Sequence, residues 1–116
     1  MVRLAIRGNP AFQVNDWEIR RRRVVYTYET LEYFHARRPK ATFYFILGAD
    51  SLKLVPMWRE PRRLRSLCRF IPHERIQTFA SHDIRHRVLR RLSIRYLVPE
   101  AVERYIRSRK LYRKPE

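Results

Sequence analysis

Cysteine occurs once in these 116 residues, at Cys68. That excludes a disulfide framework and a cysteine-built zinc site. Beside Leu67 and Phe70 the lone thiol reads as a packing group rather than a nucleophile. Glycine is nearly as scarce: Gly8 and Gly48 are the only two, so each demands a local reason. Acidic residues are few, 11 against 27 Lys plus Arg, for a net charge of +16. No apolar run approaches the ~20 residues of a membrane span, and the N-terminus lacks the apolar core of a secretory signal. A cytoplasmic protein without a membrane partner is the expectation.

What is present is a folding composition, 45% hydrophobic and 13% aromatic, too apolar for a disordered tail. The length suits one domain over residues 1–116, with a single modest core. The charge implies attraction to polyanions, whether nucleotides or nucleic acid. Most of it is arginine, the side chain suited to bidentate phosphate contacts. Because arginine is spread along the whole chain, solvated faces account for it equally well.

Residues Met1–Arg7 read as a helix stopped by Gly8-Asn9-Pro10. Phe12–Ile19 reads as a strand with a polar interruption at Asn15-Asp16, followed by the basic run Arg20–Arg23. Thr27 suits an N-cap, with Thr30 where a capping box would put Glu or Gln, and the helix Tyr28–Arg38 ends at Pro39. Thr42–Leu47 is apolar on consecutive positions, the pattern of a parallel strand buried on both faces. A short helix over Asp50–Val55, a loop at Pro56-Met57-Trp58, and an amphipathic helix Pro61–Cys68 with Leu64 and Leu67 inward come next. Arg69–Pro72 is a short strand and His73–Thr78 an irregular connection. Ser81 caps a helix to about Arg91, and Pro99 opens a last helix, Glu100–Arg109, with Ala101, Val102, Tyr105 and Ile106 inward. Three strands alternating with helices define an α/β chain with a thin parallel sheet.

The most informative stretch is Tyr44-Phe-Ile-Leu-Gly-Ala-Asp-Ser-Leu52. A strand ending in a tight turn that opens a helix is where open α/β sheets hold nucleotides. Helix-start N–H groups face anions there, and a carboxylate at the turn can hold ribose hydroxyls. Asp50 is that carboxylate, although capping its own helix is the plainer role. Ser81 and Arg85 bring a hydroxyl, a helix start and a guanidinium together, as phosphate binding requires; an ordinary cap and a surface arginine use the same residues. His82 and His86 share a helical face, yet no third ligand accompanies them, so no metal site is expected. Tyr26, Tyr28, Tyr33 and Tyr44 could offer stacking platforms near basic residues, although aromatic residues at helix and strand spacing more often pack in the core.

The blocks Tyr26-Thr-Tyr-Glu-Thr-Leu31, Tyr44–Leu52, Trp58 and Ser93-Ile-Arg-Tyr-Leu-Val-Pro-Glu-Ala-Val-Glu-Arg-Tyr-Ile106 together resemble the bacterial nicotinate-nucleotide adenylyltransferase family over nearly the whole chain. The resemblance implies a Rossmann-like nucleotidyltransferase fold, here partial, with a short parallel sheet flanked by helices. It implies transfer of AMP from ATP to nicotinate mononucleotide, giving deamido-NAD and pyrophosphate, with Mg²⁺ accompanying ATP. Thr27 is similar to the position whose backbone meets the nicotinate carboxylate. Trp58 is similar to the residue that stacks on the pyridine ring, and Arg59 to the backbone contact after it. Gly48 and Asp50 resemble the ribose turn. Phe79-Ala-Ser-His-Asp-Ile-Arg85 resembles the Ile-Ser-Ser-Thr-x-Ile-Arg segment that holds ATP phosphates, retaining Ser81 and Arg85.

The chain also departs from that pattern. The His-x-Gly-His motif, whose histidines steady the transferring phosphate, is absent; His35, His73, His82 and His86 do not have its spacing. Ala80 and His82 stand where hydroxyl residues are usual, and Val24 and Val25 where a small polar residue is. The expectation is a shortened member that binds nucleotides weakly and transfers little by itself. A basic nucleotide- or nucleic-acid-binding protein without catalysis is the alternative.

Overall fold

The computed structural model describes residues 1–74 and 79–113, so part of the connection expected over His73–Thr78 lies outside the described residues. Its contacts separate into two compact units, Asn15–Ile76 and Met1–Val14 with Gln77–Glu116.

In the Asn15–Ile76 unit, helices α2 (Trp17–Arg20) and α3 (Thr27–Arg37) precede strand β1 (Tyr44–Gly48). The short α4 (Ala49–Leu52), a 3₁₀ turn (Val55–Met57) and α5 (Pro61–Leu67) then lead to strand β2 (Arg69–His73). The strands pair in parallel, Tyr44 opposite Arg69 through Gly48 opposite His73, the pairing a helical crossover permits. Leu31, Leu47, Val55, Leu64 and Cys68 form the core, flanked by Phe43, Phe45, Trp58 and Phe70. Leu64 is fully buried, so α5 is anchored by the inward residue of its amphipathic pattern. Cys68 packs there too: its Sγ lies 3.5 Å from the Leu64 carbonyl, and burial pushes its thiol pKa up, which keeps it a protonated, inert packing group. Between α3 and α5, Arg63 pairs with Glu32 and lies 5.3 Å over the Tyr28 ring.

The other unit packs α1 (Val2–Ala5), α6 (Ser81–Leu89) and α7 (Glu100–Ser108) around Ile94, Val102 and Ile106, with Leu4, Ile84, Val88 and Leu111 against them. Of the α7 residues expected inward, Val102 and Ile106 are buried and Ala101 and Tyr105 half-buried. Glu103 is buried as well, and Arg107 one turn on holds it at 3.2 Å, the partner that a buried carboxylate needs. Gly8 has φ +87°, which only glycine adopts without strain, and it ends the chain's first turn as its stop signal implied.

Four local expectations are corrected. Phe12–Ile19 is not a strand: the Asn15 side chain accepts the Trp17 N–H at 2.9 Å, and Arg20 pairs with Asp16 at 3.1 Å. The polar pair that looked like an interruption thus starts α2, and the sheet has two strands. Thr27 is the first residue of α3 rather than its cap; Tyr26 caps, and its N–H is satisfied by Glu29 Oε2 at 2.8 Å. Ser81 is likewise the first residue of α6; the cap is Ala80, whose N–H is met by Asp83 Oδ2 at 2.7 Å. In both helices a carboxylate three residues after the cap decided the register. Finally, β1 is covered on one face only: Phe45 and Leu47 point inward, while Tyr44 and Ile46 are 54% and 69% exposed.

Candidate functional site

At the start of α3, Arg23 grips the Glu29 carboxylate with both terminal nitrogens, at 2.7 and 3.3 Å. The Arg23 hydrogen bond, with the Tyr26 N–H, holds the Glu29 carboxyl below its ordinary pKa. This fixes the helix entry, leaving the N–H groups of its first turn, at Thr27 and Tyr28, without acceptors inside the helix. Across from it, Arg59 donates to the Tyr26 hydroxyl at 3.2 Å and lies 4.9 Å over the Tyr26 ring. That hydrogen bond raises the Arg59 pKa further above its ordinary value. The contact ties the Trp58–Arg59 segment to the beginning of α3, so Thr27, Trp58 and Arg59 come into one neighbourhood. Tyr26 makes the tie. Its sequence signal was the aromatic residue directly before the helix, read above as a platform without a place in the site.

Trp58 is half-buried and meets Phe45 of β1 edge-on, ring centroids 6.1 Å apart at 90°. It therefore serves the core along one edge while keeping exposed surface. At the C-terminal end of β1, Gly48 has ordinary extended backbone angles, φ −61° and ψ 144°, so its reason is space. A Cβ there would stand 2.4 Å from Asp50 Oδ1. Asp50 folds back over the glycine, is exposed, and makes no capping hydrogen bond to the helix it opens. Its carboxylate is not consumed by the plainer role.

Ser81 and Arg85 lie in the other unit, on the exposed side of α6. They are one turn apart, with Ser81 at the first helical position. Asp83 stands in the same turn, bonded to the Ala80 N–H and to His82 Nε2 at 3.1 Å. A carboxylate there already uses part of the positive helix end, which lowers what remains for a phosphate. Among the described residues no three His, Cys, Asp or Glu side chains gather as a metal cage.

The parallel sheet, whose first strand runs into the Gly48-Ala49-Asp50 turn, is that of a nucleotidyltransferase-type α/β protein: a family model of cytidylyltransferase-like proteins matches residues 1–113. The chain is 34% identical over 129 residues to a protein of Oceanobacillus iheyensis, 35% over 142 residues to one of Desulfitobacterium hafniense, and 37% over 134 residues to one of Frankia casuarinae. Each bears the name "Probable nicotinate-nucleotide adenylyltransferase"; each match takes in 97% of this chain and 68%, 69% and 70% of the relative's length, respectively. The chain belongs to the nicotinate-nucleotide adenylyltransferase family. No helix among the described residues is long and apolar enough to cross a membrane.

Proposed function

We propose that this chain binds nicotinate mononucleotide and Mg²⁺-ATP in the cytoplasm, as a member of the machinery that makes deamido-NAD. The reaction joins a phosphate oxygen of the mononucleotide to the α-phosphorus of ATP and expels pyrophosphate. Such chemistry needs positioning and charge neutralisation rather than a covalent nucleophile. Trp58 stacks on the pyridine ring, the backbone at Thr27 and Arg59 meets the nicotinate carboxylate, and Asp50 takes ribose hydroxyls. Ser81 and Arg85 take ATP phosphates. The Tyr26–Arg59 contact carries this reading, because it assembles Thr27, Trp58 and Arg59 from segments more than thirty positions apart. Since these 116 residues hold no His-x-Gly-His, binding is expected to outrun transfer.

The test is calorimetric titration with nicotinate mononucleotide, with and without Mg²⁺-ATP, on the unaltered chain and on Trp58→Ala. Saturable binding that disappears with Trp58 supports the reading; a folded chain that gives no heat sinks it. The net charge of +16 favours the second reading, a non-catalytic basic nucleotide- or nucleic-acid-binding protein. Affinity for random duplex that falls steeply with salt would select it. Turnover near that of active family members would overturn the expectation of weak transfer.

A further inference from the structure

We propose that the groove between the end of α6 and α7 binds a small phosphomonoester with an apolar body, at a site separate from the Trp58 cluster. The cavity measures about 730 Å³, within the range of roughly 300–1,000 Å³ that small-molecule sites occupy. The buried side chains Ile94 and Ile106 belong to its apolar lining. Among the described residues its charged groups are Arg91, Arg107 and Arg113, with no carboxylate in the lining.

The polar wall is fixed in place. The Ser93 carbonyl accepts from Arg87 Nε at 2.8 Å, and the Ser93 hydroxyl oxygen accepts the Arg95 N–H at 3.2 Å, leaving the hydroxyl proton for a ligand. Arg107 is partly neutralised by Glu103, while none of the ion pairs among the described residues involves Arg91 or Arg113. Among the described residues, three guanidinium groups against one carboxylate leave two positive charges. That matches a phosphomonoester, which carries about −1.5 to −2 at pH 7, and guanidinium forks suit its oxygens. A phosphodiester carries one charge per phosphate, fewer than the two positive charges gathered here, so nucleic acid fits less well.

Phenyl phosphate is the probe, titrated into the isotope-labelled chain with amide shifts as the readout and inorganic phosphate in parallel. The expected result is saturable shifts at Ile94, Ile106 and Ser93, with phenyl phosphate binding tighter than inorganic phosphate. Arg113→Ala and Arg91→Gly should each weaken it about tenfold, the effect of one charge-assisted contact. Arg91 has φ +58°, so glycine there removes the guanidinium without backbone strain; circular dichroism confirms that both variants fold. Arg62→Ala on α5 should leave the affinity read at Ile94 and Ile106 unchanged. Equal binding of the two phosphates, or equal weakening by Arg62→Ala, would reduce the site to diffuse charge. Saturable binding lost with Trp58→Ala would place the probe in the mononucleotide cluster instead, and absence of shifts at Ile94 and Ile106 overturns the proposal outright.

Discussion

The two compact units solve recognition with different materials. The Asn15–Ile76 unit holds both tryptophans and the parallel sheet, and four of its arginines lie on aromatic faces: Arg21 on Trp17, Arg37 on Tyr33, Arg59 on Tyr26 and Arg63 on Tyr28. The other unit has no sheet among its described residues and a smaller core around Ile94, Val102 and Ile106; Arg95 and Arg109 lie farther out over Tyr96 and Tyr105, at 5.6 and 5.8 Å, and Arg104, Arg107 and Arg87 meet carboxylates or a carbonyl. Aromatic faces suit a flat ring and guanidinium groups with few partners suit phosphate. Arginine pairs with carboxylates in both units, but it lies closer to aromatic faces in the first, at 3.7–5.3 Å against 5.6–5.8 Å.

The largest effects come from the cores. Leu64→Ala, at a fully buried position, should cost about 2–5 kcal/mol and shift the denaturant midpoint read by tryptophan fluorescence. Ile94→Ala falls in the same range but should register first in amide exchange of residues 79–113. Fluorescence that responds equally to both would erase the distinction between the units. Next is Trp58→Ala, expected to weaken nicotinate mononucleotide by ~10–100-fold, since stacking on an aromatic side chain contributes about 1–3 kcal/mol, while sparing ATP. Arg85→Ala should do the reverse, weakening Mg²⁺-ATP about tenfold and sparing the mononucleotide; crossed effects in calorimetry would break the division of labour.

Smaller still is Gly48→Ala. The added Cβ displaces only the flexible end of Asp50, so the melting temperature should barely move while nucleotide affinity falls several-fold (about 1 kcal/mol or less). Unchanged affinity would remove Asp50 from the site. The smallest effect is a pH dependence. Because the folded Glu29 carboxyl lies below its ordinary pKa, its contribution is complete above the unfolded value, about 4.3. It is lost as pH falls through the folded value. Glu29→Gln should flatten that segment of a stability–pH curve, and an unaltered slope would show that the Arg23–Glu29 grip contributes nothing.

Much of this was legible in the residues. The β1 turn, α5 and β2 follow from an apolar run, a Pro-started amphipathic helix and a second run at crossover distance. Parallel pairing follows from that order, and family membership from blocks spread over the chain. What misled was local chemistry. Asn15-Asp16 inside an apolar stretch looked like an interrupted strand, yet an Asn side chain that accepts an N–H two residues on starts a helix instead. Hydroxyl residues drew the caps to Thr27 and Ser81, whereas Glu29 and Asp83, three residues beyond Tyr26 and Ala80, set them one residue earlier. The tie between Tyr26 and Arg59 joins distant segments, which no spacing rule reaches.

The uncovered face of the sheet has a consequence for handling the protein. Tyr44, Ile46 and Ile71 stand exposed on neighbouring parallel strands, the kind of surface that sticks to its own copy. A charge of +16 opposes that encounter over a Debye length, about 10 Å at 0.1 M salt and about 3 Å at 1 M. Ionic strength should therefore set the colloidal balance: a concentrated solution is expected to stay clear in dilute buffer and to cloud as added salt brings the repulsion within the reach of those three side chains.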